Sequence, residues 1–197
     1  MDGACRHNVA MLPSYVLLDL ETTGIDPVHH RITEIAAIRV DDGAVTRRWE
    51  SLVNPGQPIS PFIQKLTGIT NAMAGNAPDF QRVLPDLLAL LDGAVLVAHN
   101  VRFDHGFLKH AIARTGATLR VDTLCTVRLS RRLYPRATGH GLDAIMRRHG
   151  LSTTARHRAM GDVELLHAWL RVARDDLGAQ TLQTAAQALL RSTSREP

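Results

Sequence analysis

Two acids one residue apart, Asp19 and Glu21, follow the apolar run Val16-Leu17-Leu18. If that run is a strand, positions two apart point to the same face, and the two carboxylates project side by side. Carboxylates held close together at the edge of a buried strand repel each other unless a proton or a cation lies between them. A hard divalent ion with oxygen ligands meets that need. On the pair alone, a solvated strand end carrying two surface acids accounts for the pattern equally well. Two further acids lie in settings that a surface position does not explain. Asp104 closes the segment His99-Asn100-Val101-Arg102-Phe103-Asp104 and stands at helical spacing from Phe107, Leu108 and Ala111. Asp162 follows His157-Arg158-Ala159-Met160-Gly161 and stands at helical spacing from Leu166, Trp169 and Ala173. Aspartate is favoured at a helix start as a cap or first-turn acid. That preference explains position but not facing, because an acid on an apolar stripe needs a partner.

Taken in order, these segments resemble the DEDDh 3'→5' exonucleases, the DnaQ-like proofreading family with an RNase H-like fold that includes the exonuclease domain of bacterial DNA polymerase III. The resemblance covers roughly residues 15–172, and the order of its motifs is far more specific than any one of them. It implies hydrolysis of phosphodiester bonds at the 3' end of single-stranded DNA or RNA, DNA favoured, with release of nucleoside 5'-monophosphates. It implies two divalent ions, Mg²⁺ or Mn²⁺, as cofactors. Asp19 matches the acid that bridges both ions, Glu21 and Asp162 match ligands of the ion that holds the attacking water, and Asp104 matches the acid near the second ion. His157 lies five residues before Asp162, as does the family's general-base histidine. The sister subgroup carries a tyrosine four residues before that acid, and Arg158 stands there instead. Thr22, Thr23 and Gly24 match the turn that holds the terminal nucleotide. Ile25 and Phe103 match apolar residues that pack on its base, a contact tolerant of sequence. Asn100, grouped with these substrate-binding candidates, is expected to support the backbone near Asp104. The segment Lys65-Leu66-Thr67-Gly68 departs from the family by placing Thr67 where histidine is common.

The elements that must position these groups read as a single α/β domain over residues 13–197, preceded by a disordered stretch, 1–12. After the first strand, 31–40 alternates as a second strand, Asp41-Asp42-Gly43 reverses the chain, and 45–53 completes a hairpin. Ser60-Pro61 reads as an N-cap followed by proline at the first helical position, with the helix ending near Gly68. Phe80, Val83, Leu84, Leu87, Leu88 and Leu91 share one helical face, with Pro85 implying a kink or a late start. The apolar run 94–98 reads as a buried strand parallel to the first, and 119–124 as a fifth strand. Helices are expected over 104–115, 126–133, 142–149, 162–174 and 181–190. Hairpin followed by strand-helix alternation makes an α/β sandwich on a mixed sheet. The resemblance adds that the sheet has five strands, the second antiparallel to the others, flanked by helices.

Composition sets the outer bounds. A chain of 197 residues is long enough to bury a full core, and no apolar run approaches the roughly 20 residues of a membrane span. The opening residues lack a signal peptide's apolar core, so a cytoplasmic protein with no membrane partner is expected. Cys5 and Cys125 are not expected to pair. The formal charge is +4, carried almost wholly by arginine, and between Arg128 and Arg158 eight arginines face the single acid Asp143. That block reads either as a solvated face or as a phosphate footprint, with Arg156 and Arg158 beside His157 as the substrate-binding candidates. Docking on a DNA polymerase is the alternative to free-standing trimming of nucleic-acid ends.

Overall fold

The computed structural model describes residues 10–193 and the side chains of 10–190. Its centre is β1 (Ser14–Thr22), which pairs antiparallel with β2 (Ile32–Asp41) on one side and parallel with β4 (Val95–Ala98) on the other. β3 (Ala44–Leu52) extends the hairpin outward, and β5 (Thr123–Cys125) lies parallel beside β4, giving the order β3-β2-β1-β4-β5. Only β2 runs against the other strands, as expected. The hairpin turn works because Asp42 and Gly43 both take positive φ, 50° and 82°, the geometry that matches the right-handed twist of the flanking strands.

Alternation along β1 sorts the core into two layers. Val16, Leu18 and Leu20 pack with α3 (Phe80–Leu91) and α4 (Arg102–Ala113). Tyr15 and Leu17 face the other way, toward α5 (Thr126–Leu133), α6 (Leu142–His149), α7 (Ala159–Leu177) and α8 (Ala179–Thr193). Trp169 of α7, fully buried, anchors this second layer. Asp19 and Glu21 continue the Tyr15-Leu17 parity, so the sheet aims both acids at α7.

Several boundaries depart from expectation. Met11 and Leu12, expected in a disordered terminus, are 5 % and 3 % exposed and join the α7-side core; Cys5 lies outside the described residues. The fifth strand is only Thr123–Cys125, because only Leu96 to Ala98 of β4 are paired with it. α1 (Pro61–Thr67) has the expected Ser60 cap, whose side chain accepts from the Ile63 N–H, and ends at Gly68 with φ 73°. A second short helix, α2 (Asn71–Gly75), capped by Thr70, was not anticipated. α3 begins at Phe80 under an Asp79 cap, so Pro85 sits inside the helix and does not delay its start.

Candidate active site

Asp19, Glu21 and Asp162 each bring a carboxylate oxygen within 4.8 Å of the others. The first two come from β1 and the third from the first turn of α7, so strand parity and one packed helix build the trio. Asp104 stands outside it. It enters from α4 on the other side of the sheet, is 2 % exposed, and accepts the backbone N–H of Leu20. A shift of register between Glu21 and Thr22 ends the regular β1–β2 ladder at this point, a bulge placed beside a site that needs re-aimed side chains.

Burial and mutual repulsion make these acids weak. Burial, then the charges of Asp104, Asp162 and Glu21, hold the Asp19 carboxyl well above the usual carboxylate range, against the pull of Arg156. Burial, with Asp162 and Glu34, lifts Glu21 to about 8. Burial likewise lifts Asp104 to about 8 and raises Asp162 in spite of the Arg156 guanidinium beside it. The Asp162 Oδ1 atom is buried with no hydrogen-bond partner. An orphaned carboxylate oxygen within a trio of mutually repelling acids fits a divalent cation with oxygen ligands. Asp19, Glu21 and Asp162 would hold it, and the charge of Asp104 acts on Asp19 from the neighbouring helix.

His157 sits in the turn that leads into α7, at φ 61°, a left-handed conformation unusual for a residue with a side chain. Its neighbours are tightly held. Arg158 grips the buried Glu34 of β2 through Nε at 3.1 Å and Nη2 at 2.5 Å, and the Ala159 N–H donates to the same carboxylate at 2.9 Å. Gly161 faces the Ala155 carbonyl so closely that a Cβ there would lie 2.1 Å from its oxygen. Only glycine permits this approach of the loop to the helix.

The structure brings the candidates together unevenly. Arg156 bonds Asp162 and also donates to Asp143 at 3.1 Å, so both proposed phosphate-contacting arginines are engaged by carboxylates of the chain itself. Phosphate contact at either would require breaking such a pair. Thr22 and Thr23 are also turned inward: the Thr22 hydroxyl donates to the Gly24 carbonyl at 2.6 Å, and the Thr23 hydroxyl accepts from Arg31 N–H and Gln57 Nε2. Gly24 has no room for a Cβ, which would lie 2.4 Å from the His30 ring. Ile25, by contrast, is 84 % exposed, and the Phe103 ring lies tilted on Phe107 with centroids 4.8 Å apart. Asn100, at φ 68°, offers its carbonyl to the Phe103 N–H at 2.9 Å and so shapes the start of α4.

Sequence reasoning missed Glu34, Asp143 and His99. A glutamate inside the apolar run Ile32–Ala37 was the available signal for the first, and Asp143 was visible as the lone acid of the arginine block. His99 Nδ1 lies 2.9 Å from the Thr126 hydroxyl, which donates onward to the Ala98 carbonyl. Nδ1 therefore carries the proton, and Nε2 is left a buried acceptor without a partner. Burial and Arg156 push the His99 imidazole down to about 4, opposed by Asp143, so it stays neutral at pH 7.

Among solved structures, exonuclease X in complex with 5' overhanging duplex DNA superposes with a TM-score of 0.69 at 27 % identity, covering 87 % of this chain and 99 % of that one. The sheet order and the acids on its first strand thus define an RNase H-like exonuclease fold. The exonuclease family profile (RNase_T) matches residues 16–169, and the chain belongs to that family. It is 37 % identical to the DNA polymerase III subunit epsilon of Aquifex aeolicus over 153 residues, 77 % of this chain and 76 % of that protein. It is 39 % identical to the PolC-type DNA polymerase III of Caldanaerobacter subterraneus over 150 residues, 76 % of this chain but 11 % of that protein. The chain spans under a third of the length of several curated relatives that it matches.

Proposed function

We propose that this chain is a metal-dependent 3'→5' exonuclease that hydrolyses the terminal phosphodiester bond of single-stranded nucleic acid, DNA favoured, and releases nucleoside 5'-monophosphates. The observation that carries the reading is the meeting of Asp19, Glu21 and Asp162 within 4.8 Å at the end of the central strand. Two divalent ions, Mg²⁺ or Mn²⁺, would supply Lewis-acid polarisation of the phosphate and acidify the attacking water. Asp19 would serve both ions, Glu21 and Asp162 one, and Asp104 the other. His157 takes the proton of the attacking water. The new bond joins the water oxygen to phosphorus as the bond to the 3' oxygen breaks, and that oxygen takes a proton from solvent, so the shortened strand leaves with a free 3'-hydroxyl. Ile25, the most exposed large apolar side chain among the described residues, stacks on the terminal base together with Phe103. The Thr22-Thr23-Gly24 turn offers its backbone to the terminal nucleotide, since both hydroxyls are bonded within the chain.

Matched 5'-labelled DNA and RNA single strands with Mg²⁺ test the reading. Stepwise shortening from the 3' end, faster on DNA and abolished by chelation, is the expected result, and internal cuts or an unchanged ladder would overturn it. Similarity to a polymerase III epsilon subunit over three quarters of that protein's length supports a second reading, in which the chain proofreads while docked on a polymerase. Co-purification with a polymerase distinguishes that case from free-standing trimming.

A further inference from the structure

Glu34 is a charged residue where the fold otherwise places apolar ones, 2 % exposed in the middle of the sheet. The β1–β2 register sets it directly opposite Glu21, on the same face as the acidic trio. A buried carboxylate beside a metal ligand might be expected to join the metal, but its oxygens are already taken. Oε1 accepts from Arg158 Nε at 3.1 Å and Nη2 at 2.5 Å, while Oε2 accepts from Arg158 Nε at 3.1 Å and from the Ala159 N–H at 2.9 Å. Those donors are the two residues that follow His157, the N-cap and the first residue of α7. No side chain of the N-cap caps this helix, so Glu34 does so from another strand, placing negative charge at the positive end of the helix.

We infer that Glu34 is the positioning residue for His157: through Arg158 and the Ala159 N–H it fixes the histidine turn and the first turn of α7 against the strand that carries Asp19 and Glu21. His157 needs such an anchor, because a left-handed backbone at a residue with a side chain persists only where its surroundings over-determine it. On one side Ala155 is wedged against Gly161, and on the other Arg158 and Ala159 are tied to β2. Glu34 thus acts through other residues and touches neither substrate nor metal.

This inference rests on the proposed role of His157 as base, and a double-mutant cycle tests the two separately. Glu34→Gln keeps the volume but puts an amide donor against guanidinium and N–H donors. The expected result is a kcat about 10- to 100-fold lower with KM and Mn²⁺ affinity, measured by calorimetry, within about twofold of the parent. In a His157→Ala background the same change should cost less than about twofold, because the group it positions is gone. Equal losses in both backgrounds, or a loss of Mn²⁺ affinity, would overturn the inference and assign Glu34 to the metal ligands. A slow His157→Ala paired with a full-rate Glu34→Gln overturns it while leaving the base in place; a full-rate His157→Ala overturns both. Should Glu34→Gln not fold, Arg158→Met opens the same bridge from its partly exposed end and is read by the same cycle and criteria.

Discussion

Metal binding should release protons, and the amount follows from the acids at the end of β1. A carboxylate must be ionised to ligate, yet Glu21 and Asp104 are each raised to about 8 and Asp19 is held well above the usual range. At pH 7 a group titrating near 8 is about nine-tenths protonated. Binding of Mn²⁺ to Glu21 should therefore expel about one proton per chain, with Asp19, raised in the same direction, adding to the count and Asp104 contributing about one more if it takes a second ion. Each proton released makes the apparent affinity climb about tenfold per pH unit below neutrality. Calorimetric titration of metal-free protein with Mn²⁺, in buffers of equal pH but different ionisation enthalpy, reads the proton count as a slope, and Glu21→Gln should lower it by about one. Stability moves in the same direction. Between the ordinary value of 4.5 and about 8, folded Glu21 keeps a proton that the unfolded chain has lost. Metal-free protein therefore loses stability as pH rises through that window. Metal at about 100 times its Kd should add about 2.7 kcal/mol, a rise in Tm of about 5 to 10 °C, and at one fixed metal concentration the gain should grow with pH. A slope near zero at pH 6 to 7, with an affinity indifferent to pH, would show that the acids are already ionised and refute the electrostatic account.

Other perturbations probe individual residues. Asp19→Ala should abolish turnover, and activity within tenfold of the parent would remove it as the shared ligand. His157→Ala should slow turnover by about 10² to 10⁴ while Mn²⁺ still binds, and a variant that turns over within tenfold of the parent would exclude it as base. Gly161→Ala must push the Ala155 carbonyl away from a contact of 2.1 Å, costing about 1 to 3 kcal/mol and several degrees of Tm, with kcat falling further than stability; a variant with the parent's Tm would show that the loop yields freely. Neutralising Arg156 and Arg158 together should leave the slope of log affinity against log salt changed by less than one, because both are paired within the chain. Two lost phosphate contacts would flatten it by about 1.4 on single strands.

The local parts of this site were legible in the sequence. An i, i+2 pair of acids on an apolar strand fixes its own parity, so Asp19 and Glu21 share a face whatever surrounds them. Asp104 and Asp162 declared themselves by helical spacing against Phe107 and Leu166, and both prove to be buried first-turn acids. The Ser60 cap and the Asp42-Gly43 turn are likewise decided within a few residues. What the sequence could not show is which distant groups those faces meet. Glu34 and Arg158 stand 124 positions apart, and no periodicity links them; their pairing exists because β2 lies beside β1 and α7 crosses that face. The same holds for Arg156, a candidate phosphate contact by sequence, whose pairing with Asp143 and Asp162 only the fold shows. Burial, too, belongs to the tertiary structure. Met11 and Leu12 look like terminal residues but fill the α7-side core, and four ordinary acids become weak ones only because the packed sheet and helices exclude the water that would have kept them ionised.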